Sequence, residues 1–183
     1  FAAKLAELVP VFTEKRSKFA RGLALLGVES DWQTGKVKVD NDANARLEVL
    51  KLVQVRGDSL LLLQNSLKKT AKAGDVKQLV KDLQSLRSYV EFGKVFAESV
   101  ATEKALSKIE EVLGVATKLQ EIWKLQALWE ELVEKAEVLS NNVLAKNLTV
   151  CEAEAEEALC KLMAKGELSV IVYNVVAWLY QSE

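Results

Sequence analysis

The chain has 183 residues, 50% of them hydrophobic, with 25 basic and 26 acidic side chains, 8 glycines, 1 proline and no histidine. That length suits a single domain with a sizeable core, and the scarcity of glycine and proline beside abundant Ala, Leu, Lys, Glu and Gln points to an all-α fold. A net charge of -1 excludes the cationic excess that phosphate contacts require, so no nucleic-acid partner is expected.

Residues 1–27 read as an N-terminal helix that Pro10 kinks or restarts and Gly27 stops. Residues 28–43 form the most polar, turn-rich stretch and read as a crossover loop; their "KVKVD" alternates like a short edge strand. A long helix is expected from Asn44 to Lys72, capped by Asn41 or Asp42. Its "SLLLLQ" is apolar around most of its circumference, which implies central burial. "KAGD" then breaks the chain, with Gly74 suited to a left-handed helix end and Asp75 with Gln78 matching a capping box.

The next helix, Asp75 to Ser99, carries Val76, Leu79, Leu83, Leu86, Val90 and Ala97 at the 3.5-residue spacing of a bundle seam. Tyr89, Phe92 and Phe96 make a second stripe, also expected in the core. The short connection makes these two helices an antiparallel hairpin. Between residues 103 and 146 the apolar phase changes: Leu106, Ile109, Leu113 and Ala116 set one register, Ile122, Leu125, Trp129, Leu132, Ala136, Leu139 and Val143 another. Two helices are expected here, with a turn around Lys124–Ala127. Residues 44–146 would thus supply the four-helix core of an up-down bundle, and residues 148–183 additional C-terminal helices.

Thr149 with Glu152 matches a second capping box, followed by clustered glutamates and by Lys161 and Lys165 near the far end, as a helix dipole favours. Cys151 and Cys160 sit nine residues apart on this helix. A rise of ~1.5 Å per residue separates them by ~13.5 Å, on opposite faces, beyond the reach of a disulfide. The closing segment Leu168–Tyr180 is strongly apolar but too short for a bilayer, which needs ~20 residues. The protein is expected to be soluble or peripheral to a membrane, not spanning it.

Without histidine, every His-dependent triad, base or zinc site is excluded. Neither cysteine has a base to activate it, and no glycine loop cradles a phosphate. The glutamates of "CEAEAEEAL" read as a solvated face, so no enzyme activity, cofactor or metal is expected. Two features suit docking. Lys15, Arg16, Lys18 and Arg21 fall within seven residues, a cationic patch for an acidic surface. Tyr173, Trp178 and Tyr180 are residue types favoured as interface anchors. For both sets the plainer alternative is an ordinary charged face or burial in the protein's own core.

From Asn44 to Lys146 the order of elements resembles the PsbQ family, the extrinsic four-helix-bundle subunits of photosystem II. "SLLLLQNSLKK" is followed by "LVKDLQSLRSYVEF", with Leu83, Leu86, Arg87 and Tyr89. "EKALSKIEEVLGVATKL" and "LWEELVEKAEVLSNNVL" are similar to the third and fourth helices. The tryptophan common before the second helix in that family is absent, and both ends of the chain lie outside the likeness. The resemblance implies a non-catalytic subunit of the chloroplast thylakoid lumen that docks on the membrane-embedded complex and helps retain the ions of water oxidation. It also implies a transit peptide removed before Phe1. The alternatives are a helical protein–protein adaptor or effector unrelated to photosynthesis, and a soluble pigment or lipid carrier.

Overall fold

The structure, a computed structural model, describes residues 44–95, 100–135 and 142–181. The N-terminal helix, its Pro10 kink, the loop at 28–43, Phe96 and Ala97 lie outside those residues. Within them the chain is all-α: α1 Ala45–Ser66, α2 Ala73–Gly93, α3 Val100–Glu134, α4 Asn142–Lys165 and α5 Glu167–Gln181.

Four of these close a ring, in which α1 packs on α2, α2 on α3, α3 on α5, and α5 on α1. The seam of α2 is the one its sequence spacing defines: Val76, Leu79, Leu83, Leu86 and Val90 are all fully buried. α3 repeats the pattern with Ala105, Ile109, Val112, Ala116 and Leu119, and α1 contributes Val53 and Leu60, with Leu67 just past its end continuing the heptad spacing. α1 and α2 form the expected hairpin, locked at mid-height by a buried polar knot. Asp82, fully enclosed, accepts from Arg56 Nη1 at 3.0 Å, Ser59 Oγ at 2.5 Å and Gln78 Nε2 at 2.9 Å. Both oxygens of that carboxylate have a donor, which is what keeps a buried charge tolerable.

The fourth member of the ring is α5. Gln64 near the end of α1 pairs with Ser169 through both its amide atoms, at 2.8 and 2.9 Å. Nine residues further on, Trp178 lies against Gly93 at the end of α2. α5 therefore runs opposite to α1, and the ring is up-down-up-down. α4 lies outside it, mainly against α3, and Gly166 joins α4 to α5. Its φ of 81° is a left-handed conformation open to glycine at little cost, and the two helix axes differ there by 50°.

Several expected details differ. No turn occurs at Lys124–Ala127, because α3 continues without interruption to Glu134. The fourth core helix is therefore not drawn from residues 128–146. α1 ends at Ser66 rather than Lys72, since the chain then turns to bury Leu67 and Ala71. α2 begins at Ala73 with Lys72 as an N-cap that makes no side-chain bond, so Asp75 and Gln78 form no capping box and Gly74 is simply helical. Thr149 is mid-helix, donating its hydroxyl to Ala145 O at 3.1 Å, and α4 has no acid in its first turn. Phe92 is 55% exposed rather than core, while Tyr89 packs on the core from its edge.

Candidate docking surface

α3 outruns its neighbours, with 35 residues against 22 in α1 and 21 in α2. At ~1.5 Å per residue the excess is ~20 Å. The last buried side chain of α3 is Ile122 and the first of α4 is Ala155. Beyond these points, residues 123–135 and 142–154 form an antiparallel two-helix arm outside the ring, without one fully buried side chain among those described.

The arm holds together along a half-buried inner stripe. Gln126, Trp129 and Val133 of α3 share a groove of about 330 Å³ with Ala145, Leu148 and Thr149 of α4, rimmed by Glu130 and Glu134. At its neck the Glu152 carboxylate accepts from Trp123 Nε1 at 2.6 Å and Gln126 Nε2 at 2.8 Å. One turn further on, Glu156 accepts from the Ala71 backbone N–H at 2.9 Å, tying α4 to the α1–α2 connection. Two of the four glutamates in "CEAEAEEAL" are thus structural acceptors. Glu157 instead pairs with Lys161 at 2.7 Å, and the Lys161 hydrogen bond and charge hold its carboxyl below the ordinary range. No group of three His, Cys, Asp or Glu side chains converges as a metal site among the described residues.

Outside the inner stripe the arm exposes apolar side chains among its charged ones. Leu125 and Leu128 on α3 are 53% and 51% exposed, and Val143 and Val150 on α4 are 67% and 56% exposed. Val143 and Val150, seven residues apart, share one helix face. The apolar spacing puts Leu125 and Val143 in one core-facing register and leaves Leu128 out, whereas all three are exposed. The available signal was that residues 122–133 carry apolar side chains around too much of the circumference for one partner helix.

Of the anticipated docking residues, Lys15, Arg16, Lys18 and Arg21 lie outside the described residues, as does the side chain of Tyr180. Tyr173 is 72% exposed on α5, whereas Trp178 is 4% exposed and belongs to the core, so it is unavailable to a partner. Arg87, part of the resemblance, is a surface residue paired with Glu91 at 2.9 Å and Glu110 at 3.7 Å. Such exposed pairs contribute little to stability. Cys151 is exposed and Cys160 half-buried, both as free thiols. Burial, reinforced by Glu156, pushes the Cys160 thiol up. Among the described residues no single helix is long and apolar enough to cross a membrane.

The fold and surface define an all-α bundle with a projecting helical arm. No family model matches the chain, and neither a curated protein nor a solved structure is significantly similar to it.

Proposed function

We propose that the chain is a non-catalytic helical subunit that docks on a larger, membrane-embedded complex, in its PsbQ-like form on the lumenal side of photosystem II. The observation that carries the reading is the arm, whose Leu125, Leu128, Val143 and Val150 are all at least half exposed. Exposed apolar side chains gathered on one outlying element are a feature of interaction surfaces. Tyr173, exposed on α5, supplies a second anchor of suitable type. The photosystem form draws on the resemblance around Leu83, Leu86, Arg87 and Tyr89.

The test is rebinding to photosystem II membranes stripped of their extrinsic subunits by a salt wash. The expected result is co-sedimentation of the chain and recovery of oxygen evolution at low calcium and chloride, both weakened by Leu125→Ser with Leu128→Ser. A chain that stays in the supernatant refutes the photosystem assignment. A second reading, a helical adaptor unrelated to photosynthesis, is favoured by one observation: the fourth core helix is Glu167–Gln181, outside the span that resembles PsbQ. Affinity purification that recovers one non-photosynthetic protein with the parent, and loses it with the same double variant, supports that reading.

A further inference from the structure

We propose that the leucine face of the arm is a twofold interface with a second copy of this chain. The starting observation is what the arm lacks. Residues 123–135 and 142–154 have no fully buried side chain among those described, whereas the ring closes on a continuous core. Two short helices bury too little to be stable alone, and four make a bundle. A second arm supplies the missing pair.

The apolar pattern is that of a seam. Leu125, Leu128 and Leu132 fall at i, i+3 and i+7 on α3, the spacing of alternating core positions in a heptad. Leu125 and Leu128 are more than half exposed and Leu132 is half-buried. At ~100° per residue the stripe lies a quarter-turn or more around α3 from Gln126, Trp129 and Val133, which face α4. Because α4 runs antiparallel, its Leu144, 40% exposed, turns to the same side of the hairpin.

Charge selects a second copy and sets its direction. Lys124 and Glu131 lie on one flank of the leucine stripe, seven residues apart and opposite in sign. Flanking charges of this kind fix the orientation of paired helices. With Leu125 of one copy over Leu128 of the other, antiparallel about a twofold axis, Lys124 meets Glu131 twice. Sliding the pair by one heptad would instead set Glu131 against itself. Glu131 also holds Lys135 of its own helix at 2.6 Å, but only through Oε1; its other oxygen can accept from the second copy. Such isologous contacts must be self-complementary, and this flank is.

Size and access agree. The contact runs along residues 118–135 of α3 for ~27 Å and is ~20 Å wide over both helices. It therefore covers about 1,100 Å² over the two copies, just above the ~1,000 Å² that a specific interface needs. Toward the ring Gly114 and Thr117 keep the outward side of α3 low, in an open groove of about 420 Å³ that reaches Glu121. A Cβ at Gly114 would meet nothing within 4 Å, so the tip of the second arm has room. Val143 and Val150, on the far edge of α4, stay exposed in the dimer and remain available to a larger complex.

Sedimentation velocity of the full chain under reducing conditions, from about 1 to 100 μM, covers association at micromolar Kd. The expected species has twice the 20.3 kDa of one chain, in reversible exchange with monomer. Leu125→Glu with Leu128→Glu should leave monomer only. Lys124→Glu or Glu131→Lys should each raise Kd at low salt on the order of tenfold, as two attractions become repulsions, and the two changes together should restore the parent Kd. Within one chain these residues stand ~10 Å apart along the helix, so the rescue reports a contact between copies. Circular dichroism of each variant verifies that the helices persist. A parent that stays monomeric throughout overturns the proposal, as does a dimer that the leucine variant leaves intact. Failure of the paired charge reversal to restore Kd overturns it as well. No membrane enters the measurement, so this proposal and docking on photosystem membranes fail separately.

Discussion

Replacing Gly93 by alanine tests how closely α5 is seated on the ring. A Cβ added at Gly93 would overlap Trp178 Cη2 and lie 3.1 Å from Cζ3 and 3.5 Å from Cζ2. The atoms met are the rigid six-membered edge of an indole that is 4% exposed, so it cannot swing into solvent without emptying its site. Overpacking of this kind costs ~1–3 kcal/mol. Alanine regains up to ~1 kcal/mol of helix propensity, though less at the last residue of α2, which leaves a net loss of ~1–2 kcal/mol. Urea unfolding followed by far-ultraviolet circular dichroism measures that difference directly. The decisive control is Trp178→Leu, which by itself forms a cavity but leaves room for the added methyl. In that background Gly93→Ala should be neutral or stabilising, giving a coupling of ~1 kcal/mol or more, as expected for residues in contact. An equal cost in both backgrounds would refute the steric argument, and stabilisation of the parent by Gly93→Ala would do so more bluntly.

Leu83→Ala or Leu86→Ala should each cost ~2–5 kcal/mol, the range for emptying a fully buried leucine site; a change below ~0.5 kcal/mol in the same urea assay would place them at the surface. Asp82→Ala removes the common acceptor of Arg56, Ser59 and Gln78 and should cost ~3 kcal/mol, against a smaller loss for Asp82→Asn. Gln54 Nε2 is buried without a hydrogen-bond partner among the described residues, so Gln54→Met should stabilise the fold by ~1 kcal/mol; destabilisation of that size would show that the amide is satisfied in solution. Because burial raises the Cys160 thiol pKa, its thiolate fraction near pH 8 is reduced, and iodoacetamide should modify exposed Cys151 first, as resolved by mass spectrometry.

The α2 seam and the α1–α2 hairpin were legible because one partner arrangement persists along the whole length of α2, which lets its heptad spacing show through. The long α3 was misread for a physical reason. A change of apolar phase marks a change of partner, and a break is only one way to bring that about. Up to Leu119 the helix faces the ring; beyond Ile122 it faces α4, with no proline to end it. Thr149 misled in a related way, since a Thr-x-x-Glu spacing also suits a threonine that bonds the carbonyl four residues back. The identity of the fourth core helix was hidden because it depends on a contact between Gln64 and Ser169, 105 residues apart, which no local pattern encodes. The outward leucines of the arm were hidden for the complementary reason: hydrophobicity states a preference for burial, not whether the fold satisfies it.

The arm shares a single continuous helix with the ring, and that has a kinetic consequence. Local opening free energies follow buried contacts, and these cease on α3 at Ile122. Unwinding can therefore start at the tip of the arm and advance along one hydrogen-bonded ladder until it meets the bonds of Gln126 and Trp123 to Glu152. Backbone amides of α3 should exchange with solvent in a gradient along one unbroken helix, fast near Glu134 and slow near Ile109. Digestion would thin the molecule from its outlying end while the ring stayed whole. Any partner that grips the arm would flatten that gradient, so the pace of exchange along α3 becomes an internal gauge of occupancy.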